Sequence, residues 1–167
     1  MMTKTSDKSR AVRRGFSIAG IAAGAVLLAA TAASAGECPA GKIGSNPLKD
    51  AATAPAGVTD TVLTSIDLSK EAVKLNDRQF RLRRLEIQPG GVVPMHSHGD
   101  RPALIYIVSG TITEYSSNCT VPIVHKAGEA AMESVGLTHW WKNTGKEVVV
   151  LTSADLLHTK KEDGHTM

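Results

Sequence analysis

Three histidines carry the clearest chemical signal in this chain. His96 and His98 stand two residues apart. On a β-strand that spacing puts both imidazoles on one face, with Cα atoms about 7 Å apart. Two rings so placed can converge on one ion, and a third ligand must then come from another stretch of chain. His139 is the candidate, because it follows Gly136 with two residues between and so stands just beyond a tight turn. The ligand type predicts one divalent metal ion and leaves iron, manganese, zinc, copper and nickel undistinguished.

Other side chains could touch a small molecule bound nearby. Arg101, Tyr106, Glu133 and Trp141 are the candidates for substrate contact, with surface, packing or pairing roles open to each. Glu114 and Glu133 could serve as acid–base groups if they reached a cavity. As strand-surface residues both are expected to be solvated. His125 reads as a surface or packing residue, and His158 and His165 belong to a charged tail. Cys38 and Cys119 are expected to pair in an oxidising compartment, closing a loop of about 80 residues. Neither lies in a C-x-x-C pair, so a thioredoxin-like role is unsupported.

The elements that position these residues begin after an export signal. Lys4, Lys8, Arg10, Arg13 and Arg14 precede an apolar run from Ile18 to Ala33, which ends in Ala33-Ser34-Ala35. That is the pattern of a secretory signal cut before Gly36, and the run is shorter than the roughly 20 residues of a membrane span. Arg13-Arg14 with Gly15-Phe16 resembles a twin-arginine signal, although Val12 stands where a Ser or Thr is usual. Glu37 precedes Cys38, which argues against a lipid anchor. Residues 1–35 hold five basic and one acidic residue, so the remainder carries 14 basic and 15 acidic residues of the chain's 19 and 16. With no basic patch left, nucleic acid is excluded as a partner. The expected location is the periplasm or outside the cell, with no stable membrane anchor.

Residues 36–60 are rich in Gly and Pro and read as an arm. Residues 61–155 read as an all-β barrel and 156–167 as a flexible tail. Short alternating segments lie between Asn76-Asp77, Ser109-Gly110, Gly128, Gly136 and Gly145, with no helical stripe among them. In the strand expected at 78–88, Phe80 and Leu82 point one way and Leu85 and Ile87 the other, which suggests a bulge or cover on both sides. Pro89-Gly90-Gly91 should break the chain. The apolar run Ala103–Val108 should be buried on both faces, by a second sheet or by the partner in a homodimer.

Two gapped motifs then stand out. Gly90, five residues, His96-Ser-His98 and onward to Gly110 resembles the first motif of the cupin family. Gly128, Ser134-Val-Gly136, His139 and Asn143 resembles the second, with Ser134 in place of its Pro. The resemblance implies a cupin double-stranded β-helix, a jelly-roll-like barrel, with His96, His98 and His139 as metal ligands. It departs at position 103, where the family's metal-binding Glu is replaced by Ala103. The implied site is three neutral imidazoles plus water. A dication so held keeps its full charge and favours an anionic small molecule. Some cupin dioxygenases use three histidines in this way, which implies a metal-dependent oxidoreductase, dioxygenase-like. The alternative is a non-catalytic periplasmic binder of metal or a small molecule.

Overall fold

In the computed structural model, residues 37–159 are described; residues 1–36 and 160–167, which include the expected signal, His165 and most of the tail, lie outside the described residues. Eight strands and no helix follow one another along the described chain. They are β1 (Ala56–Asp67), β2 (Gln79–Ser97), β3 (Ala103–Ser109), β4 (Thr111–Ser116), β5 (Ile123–Lys126), β6 (Ala130–Glu133), β7 (Thr138–Lys142) and β8 (Val149–Leu157). The hydrogen-bonded order is β5-β4-β7-β2-β8-β3-β6, with β1 against β2. This is the expected all-β double-stranded β-helix. Strand β1 starts inside the stretch read as arm, and β8 runs past residue 155.

Strand β2 belongs to both halves of the barrel. Its first half, through Ile87, pairs with β8, and its second half, from Val92, pairs with β7. Pro89-Gly90-Gly91 bends the strand and does not break it. Gly90 adopts φ 77°, and a side chain at Gly91 would meet the carbonyl oxygens of Gln88 and Gly57 at 2.8 and 2.9 Å. The corner's backbone stays bonded, because Gly90 N donates to the Asn143 carbonyl and Asn143 N to the Gly91 carbonyl, both at 2.9 Å. The buried Asn143 amide also donates to the carbonyls of Ile87 and Glu147, clamping β7 to β2.

Two side-chain phases differ from expectation. Strand β3 is covered on one face only: Ala103, Ile105 and Ile107 are buried, while Leu104, Tyr106 and Val108 are exposed. The outward residues are apolar too, so the run showed no alternation. Strand β2 has no switch of face at residues 82–85. Arg81, Arg83, Leu85 and Ile87 all point inward, and Phe80 and Leu82 outward. The inward guanidinium groups are neutralised. Arg81 makes a bidentate pair with Asp155 at 3.0 and 2.7 Å, and Arg83 contacts Asp60 at 2.5 Å and Asp155 at 3.4 Å. The apolar core beyond them is built from Leu85, Ile87, Val93, Ile105, Ile107, Ile112, Trp141, Val149 and Leu151.

The arm is fastened covalently. Cys38 and Cys119 form a disulfide across 81 residues. Backbone bonds continue the seam, from Gly44 N to the Asn118 carbonyl, Asn46 N to the Ser117 carbonyl and Thr120 N to the Lys42 carbonyl. Closing a loop of that length stabilises the fold by about 4 kcal/mol on the chain-entropy model. Reduction should therefore lower the urea midpoint clearly without removing the strand signal in circular dichroism. An unchanged midpoint would mean that the arm is only tethered and adds nothing to the barrel.

Candidate metal centre

The three histidines meet. His96 lies in β2 and His139 in β7, directly opposite one another in the antiparallel register. His98 follows β2 with its backbone N bonded to the Leu137 carbonyl, which holds the turn against the start of β7. All three rings are buried. His139 Nε2 stands 3.1 Å from His98 Nε2 and 3.2 Å from His96 Nε2.

The other nitrogen of each ring is already engaged. His96 Nδ1 donates to the Pro94 carbonyl and His98 Nδ1 to the Arg101 carbonyl, each at 2.8 Å. His139 Nδ1 donates to Glu114 Oε1 at 2.7 Å; the Trp141 indole N–H also points at this nitrogen from 3.2 Å, and the shorter contact to the carboxylate, which can only accept, decides the tautomer. Carbonyl and carboxylate oxygens only accept, so each proton sits on Nδ1 and each Nε2 lone pair faces the shared centre. Three lone pairs cannot hydrogen-bond to one another. A cation satisfies all of them, and donors about 2.1 Å from one ion stand about 3.0–3.4 Å apart at octahedral to tetrahedral angles. The observed spacings fall within that range.

A fourth donor is present that the sequence pattern did not place. Glu133 was expected at a solvated strand surface, yet it is buried, with Oε2 3.2 Å from His98 Nε2 and Oε1 3.3 Å from His139 Nε2. Donor atoms of His96, His98, Glu133 and His139 all lie within 4.8 Å of one another. Strand register gives the reason. Glu133 in β6 is the direct cross-strand partner of Ala103 in β3, and both face inward. The small methyl at 103 leaves room, and the carboxylate absent there enters from the neighbouring strand. The expectation of three neutral imidazoles alone is corrected accordingly.

The remaining candidates divide. Trp141 is buried, its ring centroid 4.4 Å from that of His125 and 5.7 Å from that of His139, and it lines the small inner cavity with His96, Glu133 and Arg83. Arg101 is buried, and its carbonyl fixes His98. Tyr106 is half exposed on the outer face of β3 and does not reach the cavity, because its neighbours Ile105 and Ile107 take the inward phase. Glu114 and His125, also read as peripheral, are both buried and hydrogen-bonded to each other at 2.9 Å. Trp140 faces away from the centre and stacks on Tyr115 at 4.2 Å. His158 is held by Asp77 and Asp100 at the end of β8 and stands apart from the metal-donor group.

Burial sets the protonation of the group. Desolvation, reinforced by the repulsion that protonating His96 beside the His139 ring would bring, lowers His96 to about 3, and desolvation likewise lowers His98 to about 4. Burial pulls Glu114 upward, but hydrogen bonds from His125 and His139 outweigh it and hold this carboxyl at about 2. Burial raises Glu133. Histidines that stay neutral in the fold take up protons near 6.5 once unfolded, so acid favours the unfolded chain. Glu114 adds stability above its ordinary 4.5 that is lost as pH falls toward 2, and Glu133 opposes it. The metal-free protein should therefore show a melting temperature that falls steadily between pH 6.5 and pH 4. A flat profile over that window would contradict the buried, neutral state of the two rings.

An all-β barrel whose interior carries three imidazoles and a carboxylate on facing strands has the donor set of a metal-binding barrel protein. Residues 83–155 match the family described as the cupin domain, which places that stretch of the barrel in the cupin superfamily. A germin-like protein of Arabidopsis thaliana (subfamily 3 member 1) is 32% identical over 88 residues, which are 48% of this chain and 42% of the relative. An oxalate-binding protein of Thermotoga maritima is 35% identical over 78 residues, 47% of this chain and 61% of the relative. The chain thus spans less than two thirds of either relative. A double-stranded β-helix protein of Klebsiella pneumoniae superposes with a TM-score of 0.50 at 18% identity, covering 65% of this chain and 86% of that one, a likeness of fold.

Proposed function

We propose that the chain is an exported, metal-dependent cupin in which His96, His98, His139 and Glu133 hold one divalent ion and a small anionic molecule is the substrate. The convergence of four donors, with every Nδ1 already bonded elsewhere, carries this reading. A bound dication supplies Lewis-acid chemistry, or electron transfer if the metal is redox-active. The protein's own residues fix the three ring tautomers, keep Glu133 inward and exclude bulk water. Three neutral ligands and one carboxylate leave the centre one net positive charge, which still favours an anion. The Thermotoga relative, an oxalate-binding protein, supports a small carboxylate as the class. The Cys38–Cys119 disulfide supports an oxidising compartment, the periplasm or the exterior. The exposed apolar face carrying Phe80, Leu104, Tyr106, Val108 and Met132 is of the kind that covers itself by association, and a second copy of the chain is its proposed occupant.

The activity proposed is oxygenase-like. A non-catalytic binder is the second reading, favoured by the inner cavity of about 30 Å³, which has room for little more than a water or two. The two separate on purified protein. Metal content is measured first, then oxygen uptake with oxalate, thiols and diketones. Iron- or manganese-loaded protein that consumes oxygen with one of these substrates supports the enzyme. Stoichiometric metal with no turnover of any substrate leaves the binder, and absence of metal from protein refolded with each candidate ion would remove the site.

A further inference from the structure

We propose that Glu114 and His125 form a buried relay that positions His139, so that His125 governs how tightly the centre holds its cation while hydrogen-bonding to none of the four donors. The inference rests on the ligand assignment above and extends it outward by two residues. Glu114 accepts from two rings at once, from His139 Nδ1–H on Oε1 at 2.7 Å and from His125 Nε2–H on Oε2 at 2.9 Å. Each oxygen serves a different ring, so the carboxylate cannot rotate without losing one bond. The relay crosses three adjacent strands: His125 in β5, Glu114 in β4 and His139 in β7. All three side chains are buried, so bulk water replaces a missing partner poorly.

His125 is not explained by packing. Its ring sits against Trp141, a contact that phenylalanine would make equally well. Histidine there leaves its own Nδ1 buried without a hydrogen-bond partner. A buried acceptor left unmade is unfavourable, and an apolar ring would avoid it. What histidine adds is the Nε2–H that pins Glu114. Glu114 pinned in this way holds the proton of His139 on Nδ1 and directs the Nε2 lone pair inward, the outer-sphere arrangement that orients a ligating imidazole and raises its basicity.

The test compares His125→Phe, which keeps the ring contact and removes the donor, with His125→Gln, which keeps an N–H donor and removes the ring. Glu114→Gln, which cannot accept from both rings, is the third variant. Zinc and manganese affinities are measured by competition with a chelator, and ¹⁵N spectra of the imidazole nitrogens in metal-free protein report the tautomer of His139. Expected are losses of roughly 10- to 100-fold for Glu114→Gln and His125→Phe, with an affinity near wild type for His125→Gln. The His139 Nδ1–H signal should weaken in the same two variants. Wild-type affinity in His125→Phe, or a loss in His125→Gln alone, would overturn the relay and leave a packing role. If His125→Phe does not fold, Glu114→Gln against His125→Gln decides, and equal affinities there overturn the proposal. A His139→Ala variant with undiminished affinity would instead mark failure of the ligand assignment itself.

Discussion

Replacing Glu133 by Ala should strip the metal from the protein, and adding Ala103→Glu to that variant should restore it. The expectation follows from the register, in which residues 103 and 133 are cross-strand partners with both side chains inward. Cross-strand Cβ atoms lie about 4.5–5.5 Å apart, a gap that a glutamate side chain spans. Either strand can therefore deliver a carboxylate to the same three imidazoles. Glu133 is the one charged donor of the set, so its loss should exceed the roughly 10- to 100-fold typical of outer-sphere partners. Chelator competition on the single and double variants reads the effect. Full affinity in Glu133→Ala would exclude this carboxylate from the centre. Recovery in the double variant would show that the donor set is defined by position in space and not by position in the sequence. His96→Ala combined with His139→Ala should abolish metal retention outright while the barrel stays folded on its apolar core.

The largest loss of stability is expected from Asp155→Ala. The Asp155 side chain is fully buried and carries the bidentate bond to Arg81 as well as the contact to Arg83. Its removal leaves Arg81 without its bidentate partner and Arg83 with Asp60 as its remaining ion-paired carboxylate. Breaking a buried pair from one side costs roughly 3–5 kcal/mol, because the stranded charge cannot be rehydrated. At about 4–8 °C per kcal/mol for a domain near 100 residues, the melting temperature should fall by 12 °C or more. A fall of only a few degrees would mean that water reaches the arginines. The exposed pair Arg84–Glu86 is the internal control, since neutralising it should change the stability by less than about 1 kcal/mol.

The fold and the histidine triad were legible because both depend on spacing along the chain. His96 and His98 share a strand face, and Gly136 sets His139 just past a turn. The carboxylate was not legible. In the segment Ala130–Glu133 the apolar pattern favours turning Met132 inward, yet Met132 is largely exposed and Glu133 takes the interior. Binary patterning assigns phase by burying oil, and a strand that turns a carboxylate toward three imidazoles reverses that phase. Arg81 and Arg83 misled the reading of β2 for the same reason. Their inward charge looked like a change of face until Asp155, over 70 residues away, accounted for it. Pairings of that range leave no local trace in a single sequence. The double glycine at residues 90–91 looked like a break because glycine permits both a turn and a bend, and only the carbonyls that crowd Gly91 decide between them.

That bend has a consequence for how the molecule loosens. One continuous strand is spliced into both walls, so neither wall can peel away without dismantling the seam it shares with the other. Spontaneous opening is thereby confined to the fringe strands β1, β5 and β6, each held along a single edge. Two of those fringes carry residues of the proposed centre and its relay, Glu133 on β6 and His125 on β5. An ion could enter or leave by the brief lifting of a margin, while the spine bearing His96 stays shut.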